Sequence, residues 1–277
     1  MTRTVSALAP MVAACNCEKS ASMEEIFFAG VKIEQVELST KVRIGLPVRY
    51  YDWSAIMAHF PLPAAAVRKL LPTNKLKPAQ LVPGTAILSL VAMEYRQIAD
   101  VDPYNEFGIM VPVLYEPTVN IPGLPLLFPH WFKRFGLYIH HLPVTTQAAY
   151  DFGVEIWGYP KIVAEIRFED VGQLRRCQLR AEGKDILTLE VKKLDTRAKP
   201  MNFYSYTVKN GQLLWTLIQT QGQFGIARFR GGASYILGDH PIAEELRALG
   251  MGKKAVECLW APQVQSMLHP AGERLPL

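Results

Sequence analysis

One lysine in the chain stands where a reactive amine could be built. Lys161 follows Tyr159 and Pro160 and precedes an apolar run that begins at Ile162. An amine held among apolar side chains can stay uncharged, and a neutral lysine attacks a ketone to form a Schiff base. A surface position is the commoner arrangement, because lysines are rarely buried and can extend past apolar neighbours into water. The residues alone therefore leave a surface lysine and a buried nucleophile both open.

Other familiar catalytic motifs are missing from the sequence. It has no glycine-rich nucleotide loop, no Gly-x-Ser-x-Gly nucleophile elbow and no His-Glu-x-x-His zinc motif. His140 and His141 are adjacent in a strand-like stretch, which predicts that their rings point to opposite faces and cannot hold one metal together. One of the two rings can still face a pocket, and His141 is the candidate. We expect neither a metal nor another cofactor.

The cysteines and the N-terminal residues favour a cytoplasmic protein. Cys15 and Cys17 are too closely spaced for a zinc knuckle, and four cysteines in 277 residues fit a reduced protein better than a disulfide framework. Val12–Cys15 resembles a lipoprotein cleavage site, but Pro10 and a single basic residue precede it, which argues against an export signal. No apolar run approaches the roughly eighteen residues that a spanning helix needs. We therefore expect a cytoplasmic protein with no membrane span.

Composition and charge fit an ordinary globular protein. Hydrophobic residues make up 49% of the chain and charged residues 20%, which is sufficient for a sizeable core. The formal net charge of +5 comes from basic residues scattered among acidic ones, without the clustered basic face that nucleic-acid binding requires. We expect no nucleic-acid partner. Residues 1–24 are predicted to be a disordered arm, and residues 25–277 a single domain without internal repeats.

The elements around Lys161 have the pattern of β-strands. Apolar and polar side chains alternate over Lys161–Glu169, and Asn210-Gly211 between two apolar runs predicts a tight hairpin. Helices are predicted over Pro63–Leu71 and after Asp239, which can cap a helix that ends at Gly250. Strands joined by hairpins, with few helices, favour an α+β fold with a mainly antiparallel sheet.

Residues 114–135 form an unusual segment. Four prolines alternate there with leucines and aromatic residues, so the segment cannot be a central strand and is too apolar to lie free in water. Three interpretations stay open: a loop packed on the core or on a subunit interface, a hydrophobic lid over a pocket, and docking on a membrane surface through Trp131, Phe132 and Lys133.

The segment from Gly153 to Lys161, Gly-Val-Glu-Ile-Trp-Gly-Tyr-Pro-Lys, resembles the Gly-Arg-Glu-Leu…Tyr-Pro-Lys signature of the acetoacetate decarboxylase family. Other stretches agree with that family in order, and together they cover roughly residues 45–270; they are Ala65–Pro72, Tyr104–Val113, the Asn210-Gly211 hairpin and Gly238–His240. The resemblance implies a sheet that forms a cone-like or barrel-like cavity, and a homo-oligomer. The lysine motif is fairly specific, whereas the other stretches are only supportive.

The same resemblance assigns expected roles to residues. Lys161 would form the Schiff base, and Glu106 would be the carboxylate that handles protons. Tyr159 would line the pocket, and Glu155 would support the lysine loop. Arg49 is the nearest candidate for the arginine that meets the substrate carboxylate, although its spacing departs from the family pattern.

Three departures from the family change what the resemblance implies. The position of a second pocket glutamate falls at Ser89, the family's adjacent second lysine is Ile162, and residues 114–135 are mostly an insertion. Without a neighbouring ammonium, a dry pocket would have to keep the lysine neutral. The bulky insertion suggests a substrate larger and more apolar than acetoacetate.

The expected activity is that of a Schiff-base-forming lyase that decarboxylates a β-keto acid. The same imine can instead serve aldol addition, retro-aldol cleavage or dehydration, so these remain alternatives. A further alternative is a non-catalytic protein that binds an apolar ligand, because a fold does not fix a function.

Overall fold

The computed structural model describes residues 27–277, and the arm predicted for residues 1–24 lies outside the described part of the chain. The chain divides into two units, Met1–Val31 and Lys32–Leu277, and the fold given below is that of the second unit. The predicted start of the domain at residue 25 stays a prediction.

Residues 32–277 contain seventeen strands and four α-helices. The strands are β1 (Glu34–Glu37), β2 (Arg43–Leu46), β3 (Val48–Pro63), β4 (Leu76–Pro78), β5 (Gln80–Val82), β6 (Thr85–Ile98), β7 (Tyr104–Tyr115), β8 (Phe135–His141), β9 (Glu165–Val171), β10 (Leu174–Ala181), β11 (Lys184–Lys192), β12 (Arg197–Pro200), β13 (Phe203–Lys209), β14 (Gln212–Arg228), β15 (Ala233–Leu237), β16 (Glu257–Leu268) and β17 (Glu273–Pro276). The helices are α1 (Ala64–Leu70), α2 (Leu124–Leu127), α3 (Gln147–Trp157) and α4 (Pro241–Ala248), with a 3-10 turn at Pro129–Trp131. Within the described residues, none of the helices has the length and apolar character needed to cross a bilayer.

Seven of the strands close into a barrel. Their order around it is β3, β6, β7, β8, β13, β14 and β16, and β16 pairs again with β3. All neighbouring pairs in the barrel are antiparallel except β8 with β13. The predicted α+β fold, with a mainly antiparallel and barrel-like sheet, is confirmed.

The long barrel strands bury both of their faces. On β3 the side chains of Ile56, Ala58 and Phe60 belong to the main core, together with residues of a second sheet in the order β15-β11-β10-β9. The alternate residues Ala55 and Met57 line a cavity inside the barrel. Because successive side chains of a strand point to opposite faces, the stretch Ala55–Ala58 serves both environments and is apolar throughout.

Helix α3 leads directly to Lys161, and the sequence patterns did not predict it. Its first turn is capped by the Thr146 hydroxyl, which accepts a hydrogen bond from Ala149 N at 3.2 Å. It ends at Gly158, whose φ of 65° is favourable for glycine because glycine has no Cβ. The strand predicted from Lys161 begins only at Glu165, so its first four residues were wrongly assigned.

Other local predictions have mixed outcomes. Asn210 and Gly211 join β13 to β14 with φ values of 51° and 72°, which confirms the tight hairpin. The helix predicted over Pro63–Leu71 is confirmed as α1. Helix α4 is capped by His240 rather than by Asp239, because the ring Nδ1 of His240 accepts a backbone hydrogen bond at 3.1 Å.

A bulge in β8 turns two histidines to the same side. The pairing of β7 with β8 skips one residue, His140, so that two residues of β8 oppose one of β7. The Nε2 atoms of His140 and His141 consequently lie 2.7 Å and 2.8 Å from the two carboxylate oxygens of Glu245 on α4. The prediction that the two rings point to opposite faces is wrong for this reason. The cluster attaches α4 to the barrel.

Replacing Glu245 by glutamine is expected to lower the free energy of unfolding by about 1–2 kcal/mol, because a carboxamide offers one acceptor group to two imidazoles. Glu244→Gln is the matched control, since Glu244 lies on the same helix and is exposed. Denaturant unfolding at neutral pH measures both variants. Equal stabilities of the two would contradict the role given to the cluster.

Candidate active site

The barrel encloses a cavity of about 950 Å³. This volume lies at the upper end of the range of roughly 300–1,000 Å³ that is usual for small-molecule sites. Much of the wall consists of apolar side chains from the barrel strands, among them Val91, Met93, Met110, Ile139 and Leu259. The cavity therefore suits a ligand with a substantial apolar part.

Lys161 enters this cavity from the turn that follows α3. The carbonyl groups of Pro160 and Ile162 accept backbone hydrogen bonds from Leu142 and Val144 at 3.0 Å and 2.9 Å, which fixes the residues on either side of the lysine. The lysine side chain is only 2% exposed. Of the two positions that the sequence left open, Lys161 occupies the buried one.

Glu106 is the partner of the lysine amine. Lys161 Nζ donates a hydrogen bond to Glu106 Oε2 at 2.7 Å, and the glutamate side chain is 9% exposed. The other carboxylate oxygen accepts a weak hydrogen bond from the Tyr95 hydroxyl at 3.5 Å. At 2.7 Å, an amine and a carboxylate are close enough to exchange a proton directly.

Aromatic rings surround the amine on its other sides. Lys161 Nζ lies 5.1 Å from the ring centre of Phe152, 5.6 Å from that of Tyr104 and 5.8 Å from that of Tyr159. These distances are within the reach of cation–π attraction, which is stronger where water is excluded. The rings thus favour a cation at the position that a protonated imine would occupy.

The tyrosine hydroxyl groups near the pair are themselves hydrogen-bonded. Tyr50 and Tyr104 oxygens are 3.1 Å apart, and the Tyr159 hydroxyl lies 2.9 Å from Ser205 Oγ. Burial raises the pKa of each of these phenols and of Tyr95, and the negative charge of Glu106 adds to the increase. They stay protonated at neutral pH and can act as hydrogen-bond donors.

Gly153 provides the space that the lysine side chain fills. It lies within α3, and a Cβ atom at this position would be 2.8 Å from Lys161 Nζ and closer still to the carbon atoms before it. Glycine inside a helix is less favourable than alanine by roughly 0.5–1 kcal/mol. The close approach of Lys161 leaves no room for a side chain at position 153.

Three of the six predicted site residues share the cavity: Lys161, Glu106 and Tyr159 line it together.

Ser89, which stands at the position expected for a second glutamate, lies away from the lysine. Its Oγ lies 2.8 Å from His59 Nδ1, and Ser89 is four residues along β6 from Met93, the residue opposite Glu106. The serine therefore does not belong to the immediate surroundings of the lysine.

The other three predicted residues do not line the cavity. Arg49 precedes an inward-facing residue of β3, so strand alternation directs its side chain away from the interior. The Glu155 carboxylate accepts hydrogen bonds from Ser39 N and Oγ, both at 2.7 Å. His141 is bonded to Glu245. The expectations that Arg49 meets the substrate carboxylate and that His141 faces the pocket are therefore corrected, whereas the role of Glu155 in supporting the lysine loop stays a prediction.

Several residues of the site were not singled out by sequence patterns. They are Tyr50 and Tyr95, which line the cavity, Tyr104 and Phe152, whose rings lie close to the amine, and Gly153. Tyr104 could have been found, because it precedes Glu106 by two residues in a strand and must share its face. The others come from separate strands and from α3, so only the closed barrel brings them together.

The unusual segment 114–135 lies over the cavity. Leu126, Leu127, Phe132 and Lys133 line it, whereas Trp131 is 66% exposed. Because several side chains of this segment line the cavity, the interpretation as a lid is favoured over the other two.

The cluster of His140, His141 and Glu245 is the one group of described side chains whose donor atoms could hold a metal ion, since they lie within 4.8 Å of one another. None of the three lines the cavity. A metal ion at that position would not touch a molecule bound at Lys161.

The sequence matches a known family over most of its length. The family model described as Acetoacetate decarboxylase (ADC) matches residues 36–270. A comparison with curated protein sequences finds no match.

Solved structures share the fold. Acetoacetate decarboxylase from Legionella pneumophila subsp. pneumophila str. Philadelphia 1 has a TM-score of 0.58 and 15% identity, over 83% of this chain and 87% of that chain. Another structure of an acetoacetate decarboxylase has a TM-score of 0.56 and 15% identity, over 83% and 89%. The enduracididine biosynthesis enzyme MppR, complexed with pyruvate, has a TM-score of 0.58 and 13% identity, over 80% and 88%.

Replacing Gly153 by alanine is expected to displace the Lys161 amine from Glu106. Alanine gains up to about 1 kcal/mol of helix stability over glycine, but breaking a buried ion pair costs about 3–5 kcal/mol. The free energy of unfolding should therefore fall by roughly 2–4 kcal/mol. Denaturant unfolding measures the change, with Val154→Ala, the next residue of α3, as the control. A more stable G153A variant would show that the lysine does not need this space.

Proposed function

Since the chain belongs to the acetoacetate decarboxylase family, we propose that it is a lyase that binds a β-keto acid as a Schiff base on Lys161. The observation that carries the proposal is the buried contact of 2.7 Å between Lys161 Nζ and Glu106 Oε2 inside a largely apolar cavity. A carboxylate at this distance can accept a proton from the amine, and the buried amine is shielded from water.

In the first steps Glu106 takes a proton from the Lys161 amine, and the neutral amine attacks the ketone carbon of the substrate. The resulting carbinolamine loses its hydroxyl as water when Glu106 returns the proton. The product is a protonated imine on Lys161. The short Nζ–Oε2 distance supports both proton transfers without movement of the backbone.

The protonated imine then acts as an electron sink. The bond between the carboxylate and the adjacent carbon breaks, its electron pair forms the enamine, and carbon dioxide leaves. A proton from water, relayed by Glu106, adds to the enamine carbon, and water hydrolyses the new imine to release a ketone. The rings of Phe152, Tyr104 and Tyr159 support the cationic imine before carbon dioxide leaves.

The size and lining of the cavity support a substrate larger and more apolar than acetoacetate. A volume of about 950 Å³ exceeds what a four-carbon acid can fill, and an apolar wall gains free energy only from apolar ligand surface. A chain of several carbons attached to the ketone would use this space.

Aldol-type chemistry through the same imine is the second candidate. The cavity has room for a second carbonyl compound beside the imine, and one neighbour in fold was captured with the condensation product of pyruvate and imidazole 4-carboxaldehyde. The two candidates share every step as far as the imine. They differ in whether carbon dioxide is released.

Borohydride reduction with 3-oxodecanoate is expected to attach the substrate carbon chain to Lys161, and Lys161→Ala is expected to abolish the label. Intact-mass and peptide mass spectrometry locate the adduct and show whether it has lost the carboxyl group, which separates decarboxylation from imine formation alone. Lys199→Ala is the control, because Lys199 is another lysine that lines the cavity. Equal labelling of K161A and the wild type would contradict the proposal and favour a non-catalytic binding protein.

Replacing Glu106 by glutamine is expected to lower kcat by about 10²–10⁴-fold, because the amide cannot accept and return the proton. The binding of a non-reacting carboxylic acid, measured by calorimetry, should change far less. Glu244→Gln, exposed on α4, is the control for the loss of one carboxylate. A decrease of less than about tenfold in kcat would remove Glu106 from proton transfer.

A further inference from the structure

A second cluster of polar side chains faces the barrel interior at some distance from Lys161. His59 on β3 lies opposite Ser89 of β6 and opposite Glu257 of β16, and Glu257 lies opposite Arg228 of β14. Ser89 Oγ is 2.8 Å from His59 Nδ1, and His59 Nε2 is 3.5 Å from Glu257 Oε1. Arg228 Nε donates a hydrogen bond to the other oxygen of Glu257. We call these four residues the distal cluster.

The distal cluster borders the same cavity as the lysine. His59, Arg228 and Glu257 are among the residues that line it, and the side chains of His59 and Glu257 are 14% and 18% exposed. Met57 and Val91, which occupy the inward positions next to His59 and Ser89, are apolar and also line the cavity. A ligand that extends from Lys161 along this wall would reach the cluster.

Strand register gives the separation of the two polar regions along the strand direction, and the spacing of the strands between them adds to it. Glu106 lies opposite Met93, which lies opposite Ala55, and His59 is four residues further along the same strand. At about 3.3 Å per residue, four residues correspond to ~13 Å. At about 1.2 Å per bond in an extended chain, this separation along the strands requires a chain of at least roughly ten bonds.

The hydrogen-bonding capacity of the cluster is not fully used within the chain. A separation of 3.5 Å between His59 Nε2 and Glu257 Oε1 is longer than a good hydrogen bond, so both atoms can still serve a ligand. Burial lowers the pKa of His59, so the imidazole is neutral at neutral pH. The charge of Glu257 is balanced by Arg228.

This charge balance selects the kind of ligand group. A second carboxylate would meet Glu257, whose negative charge repels it, and a cation would meet Arg228. A hydroxyl group can accept a hydrogen bond from His59 Nε2 and donate one to the carboxylate of Glu257. An uncharged group that both donates and accepts fits these two partners best.

We propose that the distal cluster is a binding site for a hydroxyl group at the far end of the substrate chain, so that the substrate class is a hydroxylated β-keto acid of medium chain length. This inference rests on the proposed function, because that function places the reacting end of the substrate at Lys161. Desolvating a buried polar group is unfavourable unless it is hydrogen-bonded, and the ligand hydroxyl supplies the missing bonds. His59 and Glu257 thereby determine specificity without touching the reacting atoms.

Neither 10-hydroxydecanoate nor decanoate has a ketone, so neither can form an imine with Lys161. Comparing the equilibrium binding of the two acids therefore tests the proposal by itself. Wild-type protein is expected to bind the hydroxylated acid about tenfold more tightly, which corresponds to about 1.4 kcal/mol. His59→Leu is expected to reduce this ratio to about one, whereas Met57→Leu, at the neighbouring inward position of β3, should preserve it. A ratio near one in the wild type would overturn the proposal, and that measurement needs no variant.

The same titration in Lys161→Ala separates the two proposals. If the hydroxyl preference persists there while borohydride fails to label wild-type Lys161, the distal site stands and the Schiff-base function fails. If Lys161 is labelled but the hydroxyl preference is missing in both proteins, the distal site fails and the Schiff-base function stands.

Discussion

A buried ion pair between Lys161 and Glu106 is the interaction on which the rest of the site depends. Taking an ammonium and a carboxylate out of water costs several kcal/mol for each ion, and their attraction compensates only when the geometry is good. The 2.7 Å contact meets that condition, and the rings of Phe152 and Tyr104 add an environment that tolerates a cation. The pair is therefore stable enough to exist and close enough to exchange its proton.

The barrel allows this ion pair to be shielded from water. Its strands present one apolar face to the second sheet and the other to the cavity, so the interior is shielded from solvent on the side of the main core. Segment 114–135 adds Leu126 and Phe132 to the cavity wall. A small-molecule site within a closed barrel can thus remain largely apolar and still hold a few polar groups at fixed positions.

Sequence alone could predict that Lys161 and Glu106 belong to the site, but it could not predict what surrounds them. The Tyr-Pro-Lys motif and the segment around Glu106 carry the family resemblance, and the Asn210-Gly211 hairpin follows from local turn chemistry. The aromatic residues around the amine come from different strands and from α3, so their convergence is a property of the closed barrel. The bulge at His140 inverted the expected direction of one ring, because strand alternation assumes regular pairing.

The electrostatics at the amine bear on which imine reaction is favoured. The described side chains that contact the amine are one carboxylate and three aromatic rings, and none of them is a cation. An enzyme that keeps the substrate carboxylate through an aldol reaction gains from a cation that holds it. In a decarboxylation, a cation close to the carboxylate helps to bind the substrate, but it stabilises the ground state over the transition state in which the carboxylate is lost. Glu106 repels a second carboxylate close to it, and loss of carbon dioxide relieves that repulsion. This repulsion is the feature of the Lys161 surroundings that supports the proposed decarboxylation over carbon–carbon bond formation.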